Sequence, residues 1–302
     1  MTHTRITMIK IATAQSHIDK DVKANGMADA PEFQIEEPAT LIREGMVALV
    51  TGAGSGVGAV VARELGRRGV KVALVGRRSD KLEETAHQIN LVGGMSQCFP
   101  GDVSLETAVD ELKAQVKADL GDPDILVNAA GLHCELVSIE ESTPQLWKQT
   151  LDVNLFGCYL TCRAFVGAMK EKGWGRILNI TSASSLHPPT NIGSIYSLSK
   201  VALNHFTRQL AKEVEGHGVT ANVIHPGEVQ TEMWQSIKTD AQSRSGPGKN
   251  ALNWVEKVSK TGGDPPEKTA ELILRIISGD ADEPNGQFLW IRDGLKEPMP
   301  SW

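Results

Sequence analysis

From Met46 onward, short runs of β-branched and other apolar residues alternate with longer segments that have helical spacing. This alternation predicts an α/β fold in which a doubly wound, parallel, seven-stranded sheet carries helices on both faces. The predicted strands are Met46–Thr51, Lys71–Gly76, Ser96–Pro100, Ile125–Asn128, Ile177–Thr181, Val219–His225 and Gln287–Ile291. The predicted helices lie near Gly56–Arg68, Ser79–Leu91, Ser104–Leu120, Leu155–Lys172, Ser194–Glu215 and Pro266–Ser278.

The alternation divides the 302 residues into an N-terminal extension and one domain. We predict that residues 1–45 form a flexible extension and that residues 46–302 form a single domain. Within that domain the segment 228–264 breaks the rhythm, because it is polar, contains Ser245-Gly246-Pro247-Gly248 and is long for a connection. A long connection after a strand is a usual place for contacts to a ligand, so we predict a ligand-contacting loop there.

Composition excludes several classes of function. The net charge of −6 and the pI of about 5.8 give no basic surface for nucleic acid. No apolar run approaches the ~18 residues of a membrane helix, so we expect no membrane span. The four cysteines form no CxxC pair and no Cys/His cluster, which predicts no metal site and a reducing, cytoplasmic location. Residues 1–18 contain no acid but carry Arg5 and Lys10, so an organelle-targeting segment stays an open alternative.

A glycine-rich turn, Thr51-Gly52-Ala53-Gly54-Ser55-Gly56-Val57-Gly58, joins the first predicted strand to the first predicted helix. Gly52 permits the tight turn, Gly56 lets the backbone approach a pyrophosphate, and Gly58 lets the helix pack close to the strand. The free N–H groups at the start of the helix then attract the anion. The turn therefore predicts a dinucleotide site whose contacts are Gly52, Ser55, Gly56, Val57 and Gly58.

With its G-x-x-x-G-x-G spacing and the motifs that follow, the sequence resembles the shorter-chain branch of the short-chain dehydrogenase/reductase family. The motifs occur in order along Met46–Ile291: Asp102-Val103, Asn128-Ala129-Ala130-Gly131, Asp152-Val153-Asn154, Ser182, Tyr196-Ser197-Leu198-Ser199-Lys200, and Pro226-Gly227 with Thr231. The resemblance implies a Rossmann-type fold in which residues 46–302 are the catalytic domain and segment 228–264 is the substrate loop. It also implies cofactor contacts from Asp102, Val103, Asn128, Ala129, Gly131, Tyr196, Lys200, Pro226, Gly227, Val229 and Thr231.

The residue types of the Tyr-x-x-x-Lys motif suit carbonyl reduction. Hydride addition to a carbonyl leaves an alkoxide that needs a proton, and a free tyrosine with a pKa of about 10 is poorly matched to neutral pH. Lys200 lies four residues after Tyr196 on a predicted helix, so it shares that face and lowers the phenol pKa. The resemblance implies that Tyr196 is the acid/base and that Lys200 also holds the nicotinamide ribose. It further implies that Asn154 anchors a proton-relaying water.

The same resemblance implies that a serine hydrogen-bonds the substrate oxygen. The run Thr181-Ser182-Ala183-Ser184-Ser185 offers three hydroxyls at this place. We assign the role to Ser182 because it follows the fifth strand directly, where the serine of the family lies. Ser184 and Ser185 stay open as alternatives.

The end of the second strand, Gly76-Arg77-Arg78, bears on the form of the cofactor. Gly76 stands where an NAD-binding chain has a carboxylate for the ribose hydroxyls, and arginine is well suited to a 2′-phosphate. We therefore favour NADP(H) through Arg77 and Arg78, with NAD(H) still possible. The alternative is that both arginines form a solvated strand end or pair with Asp80 and Glu83.

These observations predict an NAD(P)-dependent oxidoreductase that moves a hydride between nicotinamide and a small-molecule carbonyl or alcohol. An NADPH-dependent ketone or 3-oxoacyl-type reductase is favoured, and a non-catalytic NADP(H)-sensing regulatory protein is the alternative. The presence of Asn154, Ser182, Tyr196 and Lys200 together favours the enzyme. Members of the family join subunits through the helices that correspond to Leu155–Lys172 and Ser194–Glu215, so the resemblance implies a homodimer or homotetramer.

Overall fold

The computed structural model describes residues 42, 45–187, 192–243, 249–279, 284–292 and 294–296. The chain separates into two units, residues 1–37 and residues 38–302, and the described residues all belong to the second. The predicted flexible extension over residues 1–45 therefore lies, except for Ile42 and Gly45, outside the described residues. Its flexibility and the boundary at residue 46 stay predictions.

Within the described residues, eight strands form one sheet in the order β3-β2-β1-β4-β5-β6-β7-β8. The first seven strands are all parallel. Their order runs outward from β1 to β3 on one side and from β4 to β7 on the other, and this reversal of strand order confirms the predicted doubly wound, Rossmann-type sheet. The eighth strand pairs antiparallel with β7 and was not predicted. The strands are β1 Val47–Thr51, β2 Lys71–Gly76, β3 Met95–Pro100, β4 Ile125–Asn128, β5 Gly175–Ile180, β6 Val219–His225, β7 Phe288–Trp290 and β8 Gly294–Lys296.

Helices cover both faces of the sheet. They are α1 Gly56–Arg67, α2 Ser79–Leu91, α3 Glu106–Asp119, α4 Pro144–Leu151, α5 Gly157–Lys172, α6 Ser194–Glu213, α7 Glu232–Ser243, α8 Lys249–Thr261 and α9 Glu267–Ile277. A π-helical stretch, Asp152–Phe156, joins α4 directly to α5. Helix α4 was not predicted, although Thr143 caps its first turn by accepting a hydrogen bond from the Leu146 N–H and Pro144 follows.

The core divides into two layers because successive residues of each strand point to opposite faces. In β1, Ala48 and Val50 pack with α1, α2 and α9, whereas Leu49 packs on the other side with α3, α5 and α6. All five residues of β1 are buried, as expected for a central parallel strand covered on both faces. Because these strands are parallel, the carboxyl ends of β1, β4, β5 and β6 lie along one edge of the sheet.

The segment 228–264 is not the irregular loop that its composition suggested, because it contains α7 and α8. Trp234, Ala241, Val255 and Val258 are buried there in two small clusters that are separate from both layers of the main core. The two helices are amphipathic with few apolar residues, which made the stretch look uniformly polar in sequence. The Ser245–Gly248 part of the segment lies outside the described residues.

Over the part of the chain that the structure describes, no helix combines the length and the apolar character needed to cross a bilayer.

Candidate active site

The glycine-rich turn is closed by backbone packing that only glycine permits. Gly52 has φ +66°, and a Cβ there would lie 2.8 Å from the backbone N of Ala130. A Cβ on Gly58 would clash with the carbonyl of Gly52. Gly56 begins α1 with φ +54°, and a Cβ there would lie 3.1 Å from the methyl group of Thr231. The turn, the residues after β4 and the residues after β6 thus meet at one place.

A cavity of about 220 Å³ opens beside this turn. It is lined by Ser55 and Gly56 from the turn and by Val229 and Thr231 from the segment after β6. The structure therefore brings together predicted cofactor residues that are about 170 positions apart in sequence. The start of α1 offers N–H groups to an anion, and the cavity extends from it between α1 and α2, along Arg63, Glu84 and Thr85.

The two arginines after β2 differ in their surroundings. Arg77 is exposed and makes no hydrogen bond or ion pair to another described residue. The Arg78 guanidinium donates to the Ser55 hydroxyl at 3.1 Å and to the Glu232 carboxylate at 2.8 Å. For Arg78 the pairing with Asp80 or Glu83 that the sequence left open is wrong, since the observed partner comes from α7. Its position links the glycine-rich turn to the first residue of that helix.

Asp102 and Asn128 both make hydrogen bonds to neighbouring residues of the chain. One carboxylate oxygen of Asp102 accepts hydrogen bonds from the backbone N and the hydroxyl of Ser104, and Val103 is buried beneath. The Asn128 amide donates to Asn179 at 2.9 Å, and its oxygen accepts from the Thr161 hydroxyl at 2.8 Å. Asn128 therefore ties β4 to β5 and α5, and the cofactor contacts of Asp102, Val103, Asn128, Ala129 and Gly131 stay predictions.

Asn154 lies in the π-helical stretch and is 1% exposed. Its oxygen accepts from the Leu132 N–H at 2.7 Å, and its amide donates to the Leu132 carbonyl and the Ser199 hydroxyl, both at 3.0 Å. Ser199 in turn donates to the Tyr196 carbonyl at 2.7 Å. Asn154 thus connects the loop after β4 to the backbone of Tyr196, and its role with a water stays a prediction.

Ser182 and Tyr196 meet at the end of β5. The Ser182 hydroxyl oxygen accepts the Ser184 N–H at 3.2 Å, so its own O–H is free to donate toward Tyr196. Burial raises the pKa of Tyr196, and the hydrogen bond from Ser182 works in the opposite direction by stabilising the phenolate. Of the three hydroxyls left open by the sequence, the one on Ser182 is the one that acts on the pKa of Tyr196.

Lys200 lies one helical turn after Tyr196 on α6, as the spacing predicted, and is 5% exposed. Its ammonium donates to the Ile180 carbonyl at 3.0 Å and lies 5.9 Å from the centre of the Tyr196 ring. Burial lowers the pKa of Lys200 to about 8, so the group is mostly charged at neutral pH. The pKa of Tyr196 is raised by its burial, so the lowering of the phenol pKa that was predicted from the Lys200 charge is not borne out.

On the side of Tyr196 that faces His133 and Cys134, both of these side chains are uncharged at neutral pH. The His133 ring lies 5.3 Å from the Tyr196 ring, and burial lowers the pKa of His133 to about 4, so the imidazole is uncharged at neutral pH. Burial also raises the pKa of the neighbouring Cys134, which keeps it a thiol. Met233 of α7 reaches the same place, since a Cβ on Gly131 would lie 3.7 Å from its methyl group.

The segment after β6 is anchored by a charged cluster that no sequence motif indicated. Gly227 has φ +82°, and a Cβ there would lie 2.6 Å from a carboxylate oxygen of Asp264. That carboxylate accepts from the Glu228 N–H and from Arg292, both at 2.8 Å. The Pro226 carbonyl accepts from Thr269 at 3.4 Å. These partners are 28 to 43 positions apart, so no local motif could have indicated them.

Comparison with known proteins gives a consistent group of similar chains. The family model described as short chain dehydrogenase matches residues 46–242. The short-chain reductase protein NovJ of Streptomyces niveus is 34% identical over 251 residues, covering 82% of this chain and 93% of NovJ. The 2,3-dihydro-2,3-dihydroxybenzoate dehydrogenase of Bacillus subtilis is 30% identical over 244 residues, covering 79% and 91%. A crystal structure of an actinorhodin polyketide ketoreductase variant with NADPH superposes with a TM-score of 0.74 at 30% identity, covering 82% and 95%.

Proposed function

Because this chain belongs to the short-chain dehydrogenase/reductase family and is therefore an oxidoreductase acting on CH–OH or C=O groups, we propose that it is an NADPH-dependent reductase of ketones or 3-oxoacyl-type carbonyls. The observation that carries the proposal is the placement of the Tyr196 ring centre 5.9 Å from the buried ammonium of Lys200, with Ser182 acting on the same phenol. The similar polyketide ketoreductase with NADPH supports the direction of the reaction.

The glycine-rich turn would hold the pyrophosphate, and Lys200 would hold the nicotinamide ribose. When bound, the nicotinamide cofactor supplies the hydride that reduces the carbonyl carbon. The chain's own task is then to bind the carbonyl oxygen and to deliver a proton to it. With a substrate bound, the single Ser182 proton would turn from Tyr196 to that oxygen, and Tyr196 would give up its phenolic proton. The charge of Lys200 stabilises the phenolate that remains.

The preference for NADPH rests on the end of β2. Gly76 brings no carboxylate to the place where a 2′-phosphate would lie, and the side chain of Arg77 is exposed and available. Arg78 lies beside Ser55 of the glycine-rich turn and adds a second guanidinium. Two arginines without an acidic residue at position 76 favour the phosphorylated cofactor.

The neutral wall of His133, Cys134 and Met233 supports a neutral, fairly apolar carbonyl substrate. An anionic substrate would lose its hydration against this wall and meet the negative charge of Asp240, which acts on both His133 and Cys134. The segment 228–264, with α7 beside the site through Met233, is proposed as the element that selects the substrate.

The experiment measures NADPH and NADH oxidation with a panel of ketones and 3-oxoacyl thioesters. The chain contains two tyrosines, so Tyr159→Phe is a matched control for Tyr196→Phe. Loss of the acid/base group should lower kcat about 10²–10⁴-fold while NADPH still binds, whereas the control keeps its kcat. A Tyr196→Phe enzyme with more than about a third of the wild-type kcat contradicts the assignment. NADPH binding without turnover on any carbonyl would favour the sensor alternative instead.

We also propose that the chain forms a homodimer or homotetramer. Four large apolar side chains on or next to α5 and α6 are exposed: Phe156, Tyr159, Leu198 and Val201. Such a surface on two neighbouring helices is typical of a subunit contact. Light scattering should give a mass above that of one chain for the wild type, and Val201→Glu should lower it; a monomeric wild type contradicts the proposal.

The proposed location is the cytoplasm. All four cysteines are free thiols, and three of them are buried, as is usual for a chain in a reducing compartment. Fractionation of cells that express the full chain tests this location, and recovery from an organelle would point to the N-terminal segment as a targeting sequence.

A further inference from the structure

A closed set of hydrogen bonds connects Ser182 to the helix that carries Tyr196 and Lys200. The Thr181 hydroxyl donates to the Asn204 oxygen at 2.6 Å, and the Asn204 amide donates to the Ser185 hydroxyl at 2.9 Å. The Ser185 hydroxyl donates to the Ser182 carbonyl at 2.6 Å. Thr181, Ser185 and Asn204 are all buried, so water does not compete for these bonds.

The direction of each bond follows from the donors available. An amide nitrogen can only donate, so the Ser185 oxygen must accept from Asn204 and its single proton must go to Ser182. The Ser182 carbonyl also accepts the Ser185 N–H at 3.1 Å, and the Ser182 hydroxyl accepts the Ser184 N–H. The carbonyl and hydroxyl oxygens of Ser182 therefore both accept backbone N–H groups, which leaves the hydroxyl proton free to donate into the site.

We propose that Asn204 and Ser185 are positioning residues that fix Ser182 against Tyr196 during catalysis. Asn204 is two helical turns after Tyr196 and one turn after Lys200 on α6, so one rigid helix carries the acid/base and also holds its serine partner. The proposal rests on the proposed function, because it takes Ser182 as the group that binds the substrate oxygen.

The test is Ser185→Ala, which removes the hydroxyl without adding volume. Small displacements of a catalytic group cost up to about 10²-fold, and the Ser182 carbonyl keeps one N–H bond, so kcat should fall about tenfold. The Kd for NADPH should not change. Thr207→Val, on the helix that carries Asn204, is the control: its hydroxyl is also buried, donates to Leu203 and accepts from Asn179, but does not touch Ser182.

Combination with Ser182→Ala separates positioning from destabilisation. If Ser185 acts through Ser182, the change Ser185→Ala should lower kcat in the wild type and have no further effect in the Ser182→Ala enzyme. A loss in both backgrounds, an equal loss in Thr207→Val, or a kcat within about twofold of wild type each overturns the proposal. A Ser182→Ala enzyme with wild-type kcat would instead contradict the proposed function.

A second readout needs no substrate. With two tyrosines in the chain, NMR of ¹³C-labelled tyrosine resolves Tyr196 once Tyr159→Phe has assigned the other signal. Displacement of Ser182 should shift the Tyr196 signal in Ser185→Ala in the same direction as in Ser182→Ala, whereas Thr207→Val should leave it unchanged. The titratable groups near this hydroxyl, His133, Cys134 and Lys200, are the same in every variant. A Tyr196 signal that does not respond to Ser185→Ala overturns the proposal.

Discussion

Replacing Glu232 with glutamine is expected to tighten the binding of NADPH and to leave NADH almost unchanged. Arg78 donates to the Glu232 carboxylate at 2.8 Å, so part of the positive charge proposed for the 2′-phosphate is already paired. Glutamine keeps a hydrogen-bond acceptor for Arg78 but removes the negative charge. The cofactor phosphate then no longer competes with a carboxylate for the guanidinium.

The size of the effect follows from the exposure of the two side chains. Arg78 is 51% exposed and Glu232 is 58% exposed, so solvent screens their attraction strongly. Exposed pairs of this kind contribute about 0.2–1 kcal/mol, which corresponds to a gain of about 1.4- to 5-fold in NADPH affinity. The gain should shrink at high salt, because the Debye length falls from about 10 Å at 0.1 M to about 3 Å at 1 M.

The assay measures the Kd for NADPH and for NADH by titration calorimetry at two ionic strengths. Glu106→Gln is the matched control, since Glu106 forms a similarly exposed ion pair with Arg163 at 2.6 Å away from the glycine-rich turn. An unchanged or weaker NADPH affinity would refute the reasoning, and so would an equal gain for NADH. In the last case the carboxylate would repel both cofactors rather than occupy Arg78.

Two further predictions concern β6 and β2. Burial holds the pKa of His225 at about 4, below its ordinary 6.5, so the folded chain binds fewer protons than the unfolded chain between these values and loses stability as the pH falls. The free energy of unfolding in urea should differ between pH 7 and pH 5 by about 2 kcal/mol less in His225→Asn than in the wild type. The control His217→Gln, on the surface, should keep the wild-type difference. An unaltered pH dependence in His225→Asn contradicts the prediction. Gly76→Asp should raise the Kd for NADPH about tenfold relative to the Kd for NADH, because the new carboxylate repels the 2′-phosphate. The added Cβ would lie 3.3 Å from Leu82 and require a small shift. An equal loss of affinity for both cofactors would indicate a packing defect instead.

The sheet was predictable because its signal is local. Strands such as Lys71–Gly76 and Val219–His225 are apolar runs bounded by turn residues, and the structure has them over the same residues. The π-helical stretch at Asp152–Phe156 was not predictable, since the residues that follow it have ordinary helical spacing. Helices α7 and α8 were missed because each buries only a few residues against the other and against the site, which leaves little apolar periodicity to detect.

For the site, motifs indicated which residues to bring together but not how their atoms pair. The choice among Ser182, Ser184 and Ser185 depended on which hydroxyl faces Tyr196, and that is set by the turn after β5. The partner of Arg78 is 154 positions away, beyond the reach of a charge pattern that suggested Asp80 or Glu83. Long-range pairs of this kind follow from the tertiary fold rather than from spacing along the chain.

The small clusters around Trp234 and Ala241 share no residue with the two layers that bury the sheet. Substitutions among the residues of α7 and α8 can therefore accumulate without loosening the framework that holds Tyr196 and Lys200. Charged side chains of α7 make part of the tie to the remainder of the chain, since Glu232 accepts from Arg78 and Asp240 accepts from the Leu136 N–H. A chain built this way can acquire a new substrate by drift in one short stretch while its hydride chemistry stays intact.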